Sequence, residues 1–244
     1  MGNDITELRD FYATSLGQVA RRMIRRRVRA LWPDTRGMRV LGLGFATPYL
    51  RPFREEAERV VAVMPAQQGA MPWPPEGPNL VGMADETSLP FPDRSFDRIL
   101  VVHAIESTEQ MRFEMRELWR VLSDSGRLLI VAPNRRGIWA QLDRTPFGSG
   151  RPFTVGQLSL LLRENLFTPL QSASALYVPP TSSRFLLSSA PAWEEIGTRW
   201  FPSLSGVLMI EAAKQLYAST MVSEEGAGAR RAFIVLPQGF RRTL

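Results

Sequence analysis

One histidine and one acid stand three residues apart, directly after a strongly apolar run of the sequence. The run covers residues 96–102, and His103 and Glu106 follow it. Because a free imidazole titrates near neutral pH, His103 is a candidate general base. A hydrogen-bonded wall residue is the competing interpretation of this histidine. We interpret Glu106 as an acid at the start of a helix, where the helix dipole favours negative charge.

A Gly-x-Gly pattern ends a second apolar run, at residues 39–43. Gly42 and Gly44 form the pattern, and glycine lets the backbone approach a ligand closely, as in nucleotide-binding loops. Phe45 and Ala46 follow, where a loop of this kind usually contains more glycine. The sequence therefore indicates a ligand loop of altered composition, which would hold its ligand by backbone and shape.

Strands and helices alternate through the first part of the chain, as the spacing of apolar residues shows. We predict strands at residues 39–43, 60–64, 79–83, 96–102 and 127–132, and helices at 6–31, 50–59 (or a turn) and 108–122. In the second part we predict a helix at 155–165, a strand at 170–177, a short helix at 192–200 and a final strand at 206–213. Apolar strands separated by helices indicate a parallel sheet covered on both faces, which is a doubly wound α/β fold.

Ligands of such sheets bind beyond the carboxyl ends of the strands, so the residues after each strand are candidates. Met64 ends the second strand, at a place where an acid commonly holds ribose hydroxyls. A thioether cannot accept that pair of hydrogen bonds. After the fifth strand, Asn134, Trp139 and Phe147 are candidate substrate-wall residues. Ordinary core or lid packing is the alternative for the two aromatic side chains.

The composition excludes several kinds of site. The chain of 244 residues has no cysteine and one histidine, which excludes disulfides, Cys-ligated metals and multi-histidine metal sites. No acidic cluster indicates a magnesium site, and we predict no metal. We find neither a run long enough to cross a bilayer nor a secretory signal, so we expect a cytoplasmic protein. The sequence does not indicate an oligomeric state.

The net charge of +6 comes from one short segment. Six arginines lie within residues 21–29, and the rest of the chain is balanced. In the helix predicted at residues 6–31 they lie opposite an apolar stripe. We interpret them as the solvated face of a helix that packs on the domain. Contact with an anionic membrane surface, nucleic acid or an acidic partner is the alternative, although the balanced remainder does not favour nucleic acid.

The most specific pattern is residues 82–97, which read Gly-Met-Ala-Asp-Glu-Thr-Ser-Leu-Pro-Phe-Pro-Asp-Arg-Ser-Phe-Asp. An Ala-Asp pair before Leu-Pro-Phe and Ser-Phe-Asp resembles the class I S-adenosylmethionine-dependent methyltransferases, in particular methyltransferase type 11-like domains. The resemblance covers residues 38–135 well and extends more loosely to about residue 216. It implies a Rossmann-like, mostly parallel seven-stranded sheet with an antiparallel last strand.

The same resemblance implies S-adenosylmethionine as cofactor and a small-molecule methyl acceptor. It assigns Asp85 to the adenine amino group and places His103 against the methyl donor. Tyr12 would reach the cofactor edge from the leading helix. The implied cofactor-binding residues are Gly42, Gly44, Phe45, Ala46, Met64, Ala84, Asp85, Glu86, His103 and Tyr12.

The resemblance also sets the expected domain organisation. A basic amphipathic helix at residues 1–36 would pack on a methyltransferase-like domain at residues 37–218. Residues 219–244 would form a tail with a hydrophobic clip at residues 232–236. We find no internal repeat and no clear linker, so one domain with an elaborated C-terminal half is the simplest organisation.

Two departures from the family pattern leave two hypotheses about function. The family's opening loop usually reads Asp-x-Gly-x-Gly-x-Gly, but here Gly42 replaces the acid, and Ala46 and Pro48 replace later glycines. Met64 replaces the ribose acid. Each lost anchor removes hydrogen bonds to a charged acceptor, worth roughly 1.5 to 3 kcal/mol. The first hypothesis is a methyltransferase, and the second is a noncatalytic, methyltransferase-like binding or regulatory protein with a degenerate cofactor site.

Overall fold

A single sheet of seven strands organises the chain in this computed structural model, which describes residues 4–142 and 144–216. The strands are β1 (Arg39–Gly44), β2 (Arg59–Pro65), β3 (Val81–Ala84), β4 (Phe96–Val102), β5 (Leu122–Pro133), β6 (Phe167–Ala175) and β7 (Val207–Lys214). Their order is β3-β2-β1-β4-β5-β7-β6. Strands β1 to β5 pair in parallel, and β7 lies antiparallel between β5 and β6. The predicted fold class is confirmed.

Helices cover both faces of this sheet. They are α1 (Ile5–Ala13), α2 (Ser15–Leu31), α3 (Thr47–Leu50), α4 (Met111–Val121), α5 (Val155–Glu164), α6 (Arg184–Ser188) and α7 (Ala190–Trp200). One apolar core lies beneath α1, α2 and α3, and a second lies beneath α4 and α5. The central strands β1 and β4 are mostly buried because both of their faces are covered, whereas β3 and β6, at the two edges of the sheet, are more exposed. Among the described residues, no helix is both long enough and apolar enough to cross a bilayer.

The single helix predicted at residues 6–31 is wrong, because the chain turns at Thr14. This residue has an extended backbone, and its side chain accepts a hydrogen bond from Gly17 N–H at the start of α2. The N–H of Thr14 donates to the carbonyl of Phe11 and ends α1. A Cβ atom at Gly17 would lie 2.0 Å from that same carbonyl oxygen. A threonine cap followed by a glycine therefore makes a helical corner, which apolar spacing alone does not reveal.

Several other boundaries differ from the prediction. The helix or turn expected at residues 50–59 is shorter and starts earlier, as α3 followed by a 3₁₀ turn at Arg51–Phe53. Proline near the start of each piece fixes the backbone for a first turn but limits its continuation. The strand expected at 170–177 starts at Phe167. The tail and its hydrophobic clip lie outside the described residues.

The end of β1 lies unusually close to β4. Gly44 has a φ of +77°, and a Cβ atom there would lie 2.2 Å from the carbonyl oxygen of Val102. A side chain at this position would therefore force the two strands apart. Gly37 has a similar φ of +68°, but a Cβ atom there would meet nothing within 4 Å. These two glycines separate the cost of backbone strain from the cost of steric overlap.

We expect Gly44→Ala to destabilise the fold more than Gly37→Ala. The left-handed backbone alone should cost about 1–2 kcal/mol in Gly37→Ala. Gly44→Ala should cost roughly 2–4 kcal/mol, because overlap with β4 is added to the same strain. Urea unfolding of both variants measures the difference. Equal losses of stability would contradict the steric role of Gly44.

Candidate functional site

The carboxyl edge of the sheet contains a topological switch point between β1 and β4. From β1 the chain moves outward to β2 and β3, and then returns to place β4 on the other side of β1. Loops on either side of such a point diverge and leave a crevice, where ligands of α/β proteins bind. In this chain α1 lies over the crevice, so its side chains meet the residues that follow β1, β2 and β4.

A buried polar chain runs through this crevice. The hydroxyl group of Tyr12 lies 2.7 Å from the hydroxyl of Tyr49 and 2.8 Å from Nε2 of His103. On the other side of the imidazole ring, Nδ1 of His103 lies 3.2 Å from Oε1 of Glu106. With Nδ1–H donating to Glu106, Nε2 accepts from Tyr12, whose oxygen accepts from Tyr49. One continuous set of hydrogen bonds thereby connects four groups that are shielded from water, although Oε2 of Glu106 has no partner among the described residues.

The environment keeps both tyrosines in their neutral, hydrogen-donating form. Burial raises the pKa of Tyr12 well above its usual value, and the neighbouring Tyr49 adds to this rise. Burial likewise raises the pKa of Tyr49, and the hydrogen bond with Tyr12 opposes this rise. His103 has a φ of +52°, a left-handed backbone that is uncommon outside glycine. Such strain at a polar residue of a switch point is typical of functional positions.

Aromatic rings surround the polar chain. The ring of Tyr12 stacks on Phe45 at 5.4 Å, and the ring of Phe147 lies 5.0 Å from that of His103. Phe11 contacts Phe147 edge to face at 6.0 Å. Helix α1 is thus attached to the crevice through ring contacts as well as through the Tyr12 hydroxyl. The structure places the Tyr12 hydroxyl against His103. A contact of Tyr12 with the cofactor edge stays a prediction.

Gln68 closes the same crevice from the loop after β2. Its side-chain amide donates to the backbone carbonyl of His103 at 2.8 Å, while the backbone carbonyl of Gln68 accepts from the N–H of Ile5 at 2.9 Å. The side-chain oxygen of Gln68 is buried without a hydrogen-bond partner in the described structure. The sequence analysis missed this residue. The signal was present, because Gln67 and Gln68 are polar residues just after a buried strand.

A small polar pocket remains beside Gln68. It has a volume of about 100 Å³ and is lined by residues that follow β2, β3 and β4, namely Pro65, Gln67, Gln68, Glu86, His103, Ala104, Ser107 and Thr108. Small-molecule sites usually measure roughly 300 Å³ or more. In the closed arrangement of α1 and Gln68, the pocket therefore has room for only part of a nucleotide-sized ligand.

Of the two acids predicted to bind the cofactor, Glu86 lines this pocket, whereas Asp85, which is predicted to bind the adenine amino group, does not. Asp85 is exposed, and its Oδ1 accepts from both the N–H and the hydroxyl of Thr87. These bonds lower the pKa of Asp85. Ala84 ends β3, where its carbonyl accepts from Ala66 N–H. The role of Asp85 in adenine binding stays a prediction, and Glu86 is the better-placed acid.

Neither position of the missing acids is compensated nearby. A Cβ atom at Gly42 would lie 2.6 Å from Cδ1 of Leu50 and 2.8 Å from Cβ of Ala46, so apolar packing occupies the space of an acidic side chain. Met64 is fully buried, and its sulfur lies 3.4 Å from the N–H of Met71. Since this sulfur is already engaged and is a weak acceptor, Met64 offers no strong contact to a ribose.

The predicted substrate-wall residues lie in the core. The side-chain amide of Asn134 donates to the carbonyls of Ser203 and Ser205, and the indole N–H of Trp139 donates to Val178. Asn134 therefore holds the segment after β5 against the segment before β7, and Trp139 holds it against the segment after β6. Only Phe147 borders the crevice, through its contact with His103. A substrate contact stays a prediction for these three residues. The alternative of core packing, which was given for the two aromatic side chains, describes Trp139 better, and Asn134 is buried as well.

We expect Tyr12→Phe to destabilise the protein by roughly 1–3 kcal/mol, since it leaves Tyr49 and His103 without their shared buried partner. Tyr49→Phe is the matched control, because it removes one hydroxyl from the same cluster but preserves the contact between Tyr12 and His103. We expect a smaller loss in this control. Chemical unfolding at neutral pH measures both. A larger loss in Tyr49→Phe would contradict a central position of Tyr12.

A buried carboxyl group lies near the pocket. Burial, together with the nearby charges of Glu86 and Glu106, raises the pKa of Glu114 to about 8. Glu114 therefore keeps its proton in the folded state up to a pH at which it has lost it in the unfolded state. Its effect on stability is consequently most favourable below pH 4.5 and is lost as pH rises towards 8.

Within the described residues, no group of three or more acids or histidines could hold a metal ion.

Glu114→Gln should remove this pH dependence. The variant stays neutral at every pH, so its stability relative to the parent protein should increase by roughly 2–4 kcal/mol between pH 5 and pH 8. Urea unfolding at several pH values measures this trend. Glu109→Gln removes an exposed carboxylate nearby and should leave the pH profile unchanged. Parallel profiles for Glu114→Gln and the parent protein would disprove the assignment.

The part of the chain that carries this edge is similar to known proteins. Residues 39–130 match a family described as a methyltransferase domain. The chain is 29% identical over 126 residues to a demethylmenaquinone methyltransferase of Thermus thermophilus. That match covers 50% of this chain and 50% of the relative, so the chain spans about half the length of the curated relative it matches.

Solved structures share the fold at low sequence identity. A SAM-dependent methyltransferase of Thermotoga maritima, described as a possible histamine N-methyltransferase, is 16% identical with a TM-score of 0.61, over 86% of this chain and 96% of that one. The 1,6-didemethyltoxoflavin-N1-methyltransferase of Burkholderia thailandensis, solved with its substrate and S-adenosylhomocysteine, is 18% identical with a TM-score of 0.51. This second match covers 83% of the present chain and 79% of the other.

Proposed function

We propose that this chain, a member of the class I S-adenosylmethionine-dependent methyltransferase superfamily by its matched domain and its fold, binds S-adenosylmethionine and methylates a small molecule. The observation that carries the proposal is the polar pocket beside Glu86 at the switch point of the sheet. Residues from three successive strand ends meet there, which is where this architecture binds its ligands.

The residues fit one end of the cofactor better than the other. Glu86, Gln67 and the hydroxyl groups of Ser107 and Thr108 offer polar contacts to an adenine group. Gly44 permits close approach of β1 to the end of β4, next to Ala104 of the pocket. The ribose end would lack an acid, since Met64 takes its place. At the methionine end, α1 and the side chain of Gln68 would have to move away from His103.

Methyl transfer asks little covalent chemistry of the protein. S-adenosylmethionine supplies an already activated methyl group, so alignment of the acceptor provides most of the catalysis. His103 is the residue of this chain that could take a proton from an acceptor, because Nε2 is the accepting atom when Glu106 holds the Nδ1 proton. Tyr12 occupies that accepting atom at 2.8 Å, so displacement of α1 would also free the base.

The second candidate function is noncatalytic, and the packing at the missing acids favours it. The space beside Gly42 is filled by Leu50 and Ala46, and the sulfur of Met64 contacts Met71. A protein that no longer binds the cofactor would tolerate both changes. In that case α1 would permanently cover the crevice, and the sheet would serve as a scaffold for binding or regulation.

Calorimetric titration with S-adenosylmethionine and S-adenosylhomocysteine separates the two functions. For a methyltransferase we expect saturable binding of both. Gln68→Ala should tighten it, since the substitution enlarges the pocket and frees the His103 carbonyl. No binding at millimolar concentration, by either the parent protein or Gln68→Ala, would refute methyl transfer and leave the noncatalytic function.

Two neighbouring acids provide a matched test of the adenine contact. Glu86→Gln should weaken binding about tenfold, since it removes a charged acceptor that lines the pocket. Asp85→Asn changes the same charge one residue away, outside the pocket, and should have a smaller effect. A larger loss with Asp85→Asn would instead support the contact that the family resemblance implies. Thermal unfolding without ligand controls for misfolding in both variants.

A further inference from the structure

A second cavity lies beside α1. It shares no lining residue with the polar pocket, but Tyr12, which lines this cavity, hydrogen-bonds to His103, which lines the pocket. The second cavity is a groove of about 310 Å³. Its walls come from α1 and α2, from the loop between β1 and α3, and from the proline-rich loop after β2. The lining residues are Arg9, Tyr12, Ala13, Arg21, Arg25, Phe45, Thr47, Pro48, Arg51, Met71, Pro72, Trp73 and Pro75.

The charge of this groove has one sign. Four arginines line it and no acid does. Arg9 and Arg51 have ion-pair partners just outside, Asp10 at 2.8 Å and Glu76 at 3.3 Å. The positive charge of these two residues is therefore partly neutralised.

The other two arginines are better placed to receive a ligand. Arg21 and Arg25 lie one turn apart on α2, so their side chains project from the same face. Arg25 makes no side-chain ion pair or hydrogen bond within residues 4–142 and 144–216, and Arg21 hydrogen-bonds there only to the side chain of Gln18. Guanidinium groups bind phosphate and carboxylate groups through paired hydrogen bonds.

The rest of the groove is apolar and aromatic. Trp73 packs partly against the core, and Arg54 lies over its ring at 5.5 Å. Met71 and Phe45 extend this apolar surface. A ligand that fits would need an anionic group for the arginines and a flat or apolar part for Trp73. The volume is near the lower end for small-molecule sites, roughly 300 Å³, which favours a small molecule over a nucleic acid strand.

The helical corner at Thr14 is what creates the groove. Because α1 and α2 meet there at an angle, Arg9 on α1 and Arg21 on α2 come to line one cavity. Gln18 fixes the corner by donating from its side chain to the carbonyl of Tyr12 at 2.6 Å. A straight helix over residues 6–31 would separate these arginines along its length.

We propose that this groove binds a small organic anion, with its phosphate or carboxylate group on Arg21 and Arg25 and its apolar part on Trp73. Binding of the anion does not depend on binding of a cofactor, so this inference stands independently of methyl transfer. Since Tyr12 and Phe45 also belong to the crevice, an occupied groove would lie directly against the helix that covers it.

Titration of the full chain with phenyl phosphate, in the absence of any adenosyl compound, tests the proposal. We expect saturable binding that Arg21→Gln/Arg25→Gln weakens by at least about tenfold. Arg22→Gln is the matched control, because Arg22 is exposed on the same helix and does not line the groove. Its affinity should stay within about twofold of the parent protein, since charge outside the groove is screened by solvent and salt. Arg25→Gln alone breaks no hydrogen bond or ion pair among the described residues. It replaces the double variant in this test if the double variant unfolds.

Further probes identify the two parts of the ligand. Benzoate in place of phenyl phosphate shows whether a carboxylate is preferred, and inorganic phosphate shows the contribution of the ring. Trp73→Leu should reduce the advantage of phenyl phosphate over inorganic phosphate. The proposal is overturned if phenyl phosphate does not bind saturably at millimolar concentration. Equal weakening by Arg22→Gln, or equal affinity for the uncharged benzyl alcohol, would also overturn it.

Discussion

The requirement that buried polar groups find partners connects the N-terminal helices to the sheet. The hydroxyl of Tyr12 is the only part of α1 among the described residues that hydrogen-bonds to His103, and both groups are shielded from water. Separating them would leave polar atoms unsatisfied, which costs more than the bond itself contributes. This contact fixes the position of α1 over the crevice. It therefore also affects the size of the polar pocket and the shape of the groove that Arg21 and Arg25 line.

The same contact presents a conflict between stability and ligand binding. Tyr12 and Gln68 satisfy the polar groups of His103, the side chain through Nε2 and the backbone through its carbonyl. A ligand that uses the crevice must replace these bonds, and its affinity is reduced by the cost of opening α1. The left-handed backbone of His103 is retained in spite of its strain. A closed crevice at the switch point of this sheet is thus compatible with a gated enzyme and with a noncatalytic scaffold.

The position of each arginine around α2 decides which surface of the protein carries its charge. The arginines of α2 project from different faces of the helix. Arg21 and Arg25 line the groove beside Tyr12, while Arg26 and Arg27 line a separate groove against α7. Glu194 and Glu195 belong to that second groove and offset its charge. A single basic helix therefore presents two different electrostatic surfaces, and only the surface next to Tyr12 lacks lining acids.

Sequence alone determined the fold class and the positions of most strands, because continuous apolar runs and helical spacing are local properties of the chain. It also located His103, and the altered acid positions at Gly42 and Met64, since these residues lie near or directly after the carboxyl ends of strands. It did not reveal the corner at Thr14, the reach of Gln68 or the core role of Asn134. The corner depends on the local contacts of Thr14 and Gly17, which the spacing of apolar residues does not reveal. The other two features depend on partners far away in the chain, which only the packing of the folded protein brings together. For the same reason, the choice of Glu86 over Asp85 as the pocket acid, and the grouping of Arg9 with α2, were decided by the tertiary structure.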